Sequence, residues 1–99
     1  MYLITENIDK LKALCNKYKV SKLYVFGSIL TSRFNENSDV DLSVIFNDVE
    51  IDDMFIHFFD FVDELQNLFG RKVDLIDETA ISNKIFRQNL NNTKQLIYG

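Results

Sequence analysis

Leu23-Tyr24-Val25-Phe26-Gly27-Ser28, followed after ten residues by Asp39-Val40-Asp41-Leu42-Ser43-Val44-Ile45-Phe46, reads as strand, tight turn, loop and second strand. The apolar run before Gly27 suits a buried strand, and glycine permits the sharp turn that ends it. Side chains alternate in a strand, so Val40, Leu42, Val44 and Phe46 fall on one face. Asp39 and Asp41 fall on the other, their Cα atoms about 6.5 Å apart. A carboxylate flanked by Val40 and Leu42 is costly to desolvate unless a cation or donor answers it, so Asp41 carries a functional expectation. The residues after Ser28 can open a short helix, where backbone N–H groups could face a phosphate.

A third piece is Lys72-Val73-Asp74-Leu75-Ile76-Asp77. Val73 and Leu75 point one way and Asp74 the other, so a neighbouring strand can bring a third carboxylate to Asp39 and Asp41. Carboxylates so placed can share two divalent cations roughly 3.5–4 Å apart, the arrangement that serves in-line displacement at phosphorus. Simpler roles compete. Gly27-Ser28 can be a plain turn, Asp39 can mark a strand start, and Asp77 can cap the next helix.

Outward from this centre, residues 5–19 suggest a helix opened by Thr5 and striped by Ile8, Leu11, Leu14, Cys15 and Tyr18. Asn35-Glu36-Asn37-Ser38 has turn character. A second helix begins near Asp52 or Asp53 and stops at Gly70. The third strand covers 72–77, a last helix runs near 79–91 with Ile81, Ile85, Phe86 and Leu90, and a brief strand follows at 96–98. This alternation predicts an α/β fold: a small mixed β-sheet with helices packed on it.

Ninety-nine residues suffice for one core but not for a catalytic domain plus a separate base-recognition domain. The net charge of −4 disfavours a duplex nucleic-acid binder, whose affinity rests on Lys and Arg. No apolar stretch is long enough for a signal peptide or a membrane span, which sets the expectation of a cytoplasmic protein without membrane contact. Cys15 is the only cysteine, so an internal disulfide and a cysteine-based zinc cage are excluded. Its helical spacing with Leu11 and Tyr18 makes it a buried apolar residue. His57 has no second histidine at ligand spacing and reads as structural or surface. Five of the nine phenylalanines lie between Phe55 and Phe69, more than one core-facing stripe needs, which suggests a broad core contact or an association surface.

Val25-Phe26-Gly27-Ser28 with Ser38-Asp39-Val40-Asp41-Leu42 resembles the motif of the minimal nucleotidyltransferase family within the DNA polymerase beta superfamily. The resemblance extends to Lys72-Val73-Asp74-Leu75-Ile76 and to the closing Gln95-Leu96-Ile97-Tyr98. It implies one minimal nucleotidyltransferase domain over 1–99, with a polymerase beta palm-like fold. Gly27 and Ser28 would hold the triphosphate, while Asp39, Asp41 and Asp74 would be catalytic and bind two Mg²⁺ ions, Mn²⁺ being an alternative. The implied reaction moves a nucleoside monophosphate, AMP from ATP, to a hydroxyl. By the same resemblance the acceptor is a tyrosine of a HEPN-type helical toxin, with this chain as antitoxin. Many relatives carry Arg and then Gly after the Gly-Ser pair, whereas this chain has Thr31 and Ser32, with Arg33 out of step. That departure supports the competing reading, an antitoxin that blocks its partner without catalysis. A free-standing transferase for a small hydroxyl compound would need a second copy of the chain to complete its acceptor pocket.

Overall fold

Alternation of apolar and polar side chains decides the sheet. In the computed structural model, which describes residues 1–99, β1 (Val20–Phe26), β2 (Val40–Phe46), β3 (Val73–Asp77) and β4 (Gln95–Tyr98) form one mixed sheet in the order β3-β2-β1-β4. β1 is antiparallel to both β2 and β4, and β2 is parallel to β3. Parallel neighbours need a crossover. Here it is α3 (Met54–Phe69), which a glycine in left-handed conformation ends: Gly70 has φ 67°.

One face of the sheet carries the core. Leu23, Val25, Val40, Leu42 and Val44 are fully buried against Leu11 and Cys15 of α2 (Ile8–Lys17) and Phe61 and Leu65 of α3. Each large apolar side chain removed from water in this way contributes about 1.5–3 kcal/mol. The opposite face is covered only in part. There the 3-10 turn Glu78–Ala80 lies against β2, and α4 (Lys84–Thr93) buries Leu90 apart from the main cluster.

β2 covers the apolar alternation Val40–Phe46 with Asp39 just outside it, and β1 begins three residues before the predicted Leu23. The first helix differs. Two helices, α1 (Tyr2–Glu6) and α2, meet at Asn7, whose side chain donates to the Leu3 carbonyl at 2.8 Å. Thr5 does not cap: its hydroxyl donates back to the Met1 carbonyl at 2.9 Å, inside α1. A 3-10 turn, Ile51–Asp53, precedes α3; Asp53 occupies the capping position without a side-chain hydrogen bond. The last helix starts at Lys84 and not near 79. Asn83 sets that boundary, its Oδ1 accepting from the N–H groups of Ile85 and Phe86 at 3.0 Å each. Asp77 does act as a cap, for the 3-10 turn, accepting from the Thr79 N–H at 3.0 Å and hydroxyl at 2.7 Å.

His57 is structural. Its Nε2 lies 2.5 Å from the Tyr18 carbonyl, and its ring sits edge-on to those of Tyr18 and Phe46. Cys15 is buried, and loss of hydration pushes its thiol up to about 12. The phenylalanine-rich helix divides: Phe61 and Phe69 enter the core, whereas Phe55 is 73% exposed and Ile56 and Phe59 are also at the surface. No helix is long and apolar enough to cross a membrane.

Candidate active site

Gly27 joins β1 to a 3-10 turn, Gly27–Leu30, with φ 75°, a backbone state that disfavours any residue with a Cβ. Space reinforces conformation. A methyl group at Gly27 would overlap Asp41 Oδ2. The turn and the carboxylate are therefore packed directly together, a consequence of the pairing of Phe26 with Asp41 across β1 and β2.

Asp41 in turn pairs with Asp74 across the parallel β2 and β3 strands. Neighbouring strands lie about 4.8 Å apart, so residues level in register present their side chains together. Asp39 precedes β2 by one residue and is near enough for its charge to act on Asp41. Asp41 feels the other two. Burial raises the Asp41 pKa above the usual carboxylate range, and the negative charges of Asp74 and then Asp39 raise it further. The nearby Ser28 backbone N–H acts in the opposite direction and lowers it. Ser28, Asp39 and Asp41 are half-buried, while Asp74 is exposed.

The loop between the two halves of the site is tied down by residues that spacing did not single out. Arg71, just ahead of β3, donates through Nη1 to the carbonyls of Asn35 at 2.9 Å and Ser38 at 3.0 Å. Its guanidinium also lies 4.8 Å from the centre of the Phe34 ring. One cation thus anchors the entry to Asp39 beside the entry to Asp74. Thr31, at the place of the family arginine and glycine, has a local duty: its N–H and hydroxyl both donate to the Ser28 carbonyl, at 2.9 and 2.8 Å. The hydroxyl also accepts from the Arg33 N–H at 3.2 Å.

Behind the carboxylates on β2 lies a buried polar group that was also missed. Ser43 donates to Glu78 Oε2 at 2.5 Å, and Lys94 Nζ donates to Oε1 at 2.7 Å. The available signals were a serine inside an apolar strand and a lysine immediately before the last strand.

The donor set is all oxygen, which suits a hard divalent cation. As the side chains stand, no three acidic, imidazole or thiol groups are placed to hold one metal ion, so Asp39, Asp41 and Asp74 do not by themselves form a metal cage. Magnesium is commonly bound by one or two carboxylates and by substrate phosphates, a need that the in-register pair Asp41 and Asp74 can meet. The crowding of negative charge at Asp41 favours a cation in the same way.

A strand that ends in a left-handed glycine turn, beside carboxylates on two adjoining strands, has the layout of a nucleotidyltransferase. Residues 9–99 match the family described as "Polymerase beta, Nucleotidyltransferase", and the chain belongs to it. Within that family it is similar to an enzyme of Methanocaldococcus jannaschii named "Putative protein adenylyltransferase MJ0128", 38% identical over 87 residues, covering 88% of this chain and 84% of the relative. Solved structures share the fold. One is a toxin-antitoxin with AMP-PNP, with TM-score 0.74 and 24% identity, covering 94% of this chain and 73% of that one. Another is a tri-AMPylated Shewanella oneidensis HEPN toxin in complex with MNT antitoxin, with TM-score 0.68 and 21% identity, covering 96% and 71%. The minimal nucleotidyltransferase resemblance and the mixed-sheet fold class both hold.

Proposed function

We propose that this nucleotidyltransferase moves AMP from ATP to a hydroxyl on a protein, a tyrosine of a HEPN-type helical partner, with the α–β phosphoanhydride broken and pyrophosphate released, and so serves as the antitoxin of a pair. The observation that carries the reading is the register of Asp41 with Asp74 beside the glycine turn. The relatives' adenylyltransferase name and the HEPN complex of a similar fold support the donor and the acceptor. Asp39, Asp41 and Asp74 would hold two Mg²⁺ ions, with Mn²⁺ able to replace them. Bound there, the ions would neutralise the triphosphate and lower the pKa of the acceptor hydroxyl.

The chain's own residues do the positioning. Gly27, lacking a side chain, lets the Asp41 carboxylate pack directly against the turn whose backbone would face the phosphates. Asp41, held at the centre of the acidic group by the strand pairing, fixes where positive charge must gather. Arg71 keeps the Asn35–Ser38 loop in place so that Asp39 arrives beside its partners. No side chain need act as nucleophile, because phosphoryl-type transfer relies on position and charge neutralisation.

The test is incubation with labelled ATP, MgCl₂ and the helical protein encoded beside this chain. Label on that protein is expected, and its absence rejects the acceptor. A second reading, neutralisation by binding alone, draws on Thr31 and Ser32 at the place of the family arginine and glycine. If Asp39→Asn with Asp41→Asn leaves neutralisation of the partner undiminished, binding is the mechanism.

A further inference from the structure

The largest cleft in the molecule, about 470 Å³, opens beside the glycine turn and is lined by Gly27, Leu30, Thr31, Thr93 and Gln95. That volume lies in the range of small-ligand sites. Gly27, Leu30 and Thr31 lie in or directly after the turn next to Asp41, and Thr93 and Gln95 flank Lys94 at the corner where α4 passes into β4. We infer that this cleft takes the nucleoside part of the donor triphosphate, with Gln95 reading the base and the buried Glu78–Lys94 pair holding that wall in place. The inference rests on the nucleotidyltransferase reading above and extends it to the base.

The polar groups of the cleft differ in how far they are already engaged. Thr31 donates its hydroxyl to the Ser28 carbonyl, and Thr93 donates its own to the Asn89 carbonyl at 2.8 Å. The Gln95 amide makes no hydrogen bond with the protein and is exposed, so both its donor and its acceptor are free for a ligand. An amide can pair with adjacent donor and acceptor atoms on a purine edge, as glutamine does with adenine. Leu30 offers the apolar contact that a base ring needs.

A reading side chain is useful only on a fixed backbone. Glu78 is 5% exposed, and each of its carboxylate oxygens has a partner: Ser43 on β2 and Lys94 at the corner. Lys94 Nζ also lies 4.0 Å from the centre of the Tyr24 ring. Tyr24 and Ser43 are cross-strand partners, one alternation step behind Phe26 and Asp41. Arg87 adds a clamp by donating to the carbonyls of Glu78 at 2.9 Å and Ile81 at 2.7 Å. The corner bearing Gln95 is therefore fastened to the same two strands that carry the glycine turn and the central carboxylate.

The experiment measures equilibrium binding of AMP-PNP and of GMP-PNP with MgCl₂, and competition by inorganic tripolyphosphate, for the whole chain and its variants. Gln95→Ala is expected to weaken AMP-PNP binding about five- to tenfold, to narrow the gap between the two nucleotides, and to leave tripolyphosphate affinity within twofold. Lys94→Met alone strands a buried carboxylate and is expected to be strongly destabilised. The paired change Glu78→Met with Lys94→Met replaces both charges by apolar groups, should stay folded by circular dichroism, and should show the same nucleoside-specific loss. Unchanged AMP-PNP affinity in Gln95→Ala overturns the inference, as does an equal loss for tripolyphosphate. If the unaltered chain binds neither nucleotide nor tripolyphosphate, the transferase reading falls and takes this inference with it.

Discussion

Asp41 and Glu78 are both acidic groups on the same side of the sheet, and the protein treats them in opposite ways. Glu78 is buried with a hydroxyl on one oxygen and an ammonium on the other, and with an arginine clamped to its backbone carbonyl. Asp41 has only the Ser28 N–H in its favour, and two further negative charges beside it. Interiors ordinarily satisfy their polar groups, so a charge left in excess marks a place where something else is to be bound. One carboxylate ties parts of the fold together; the other is the group to which the proposed function assigns a ligand.

The contrast can be broken most sharply through catalysis. Replacing Asp39 and Asp41 together by Asn should lower the rate of AMP transfer by 10³-fold or more, measured as label incorporated per minute; substantial residual transfer would show that the unanswered charge is not functional. Next in size is Lys94→Met, expected to cost about 3–5 kcal/mol in urea unfolding because Glu78 loses its counter-charge; addition of Glu78→Met should recover most of that. Asp41→Asn should act in the opposite sense on stability. In EDTA the single variant should be more stable at neutral pH by up to about 1 kcal/mol, solvent screening keeping the gain small.

The pH dependence gives the sign independently. The folded pKa of Asp41 lies above its ordinary 3.8, so the folded chain binds its proton more tightly than the unfolded chain. Its contribution to stability is therefore favourable at low pH and declines as pH rises from about that ordinary value through the raised one. Thermal melts of the unaltered chain and of Asp41→Asn should diverge across that interval and run parallel above it. The smallest effect is expected far from both carboxylates: Phe55→Ser with Phe59→Ser should change stability by no more than about 0.5 kcal/mol per site, since those side chains are largely in water already.

The layout of the candidate site was more legible than its supports, for a geometric reason. Alternation along β2 and β3 is a property of the chain itself, so Val40, Leu42 and Val44 could be assigned to the core and Asp41 to the other side before any contact was known. Gly27 was legible as a turn, although its close approach to Asp41 was not. Glu78, Lys94 and Arg71 act over long separations in sequence, and nothing local distinguishes them from surface charges. Boundaries suffered where side chains compete with the backbone. Thr5 looked like a helix start but bonds within α1, whereas Asn83 caps α4 from inside the region assigned to that helix. The surplus of phenylalanine in α3 was visible in the sequence; which rings would face outward depended on how the helix lies on the sheet.

The crossover from β2 to β3 also acts as a gauge. It delivers Asp74 level with Asp41, and an error of one residue between Gly70 and Val73 would turn Asp74 into the hydrophobic layer and Val73 out of it. Two extra residues would restore the sidedness but carry the acid about 6.6 Å along the strand. Natural length variation should therefore collect in the loops around 31–38 and 47–50, while the short join after α3 tolerates almost none.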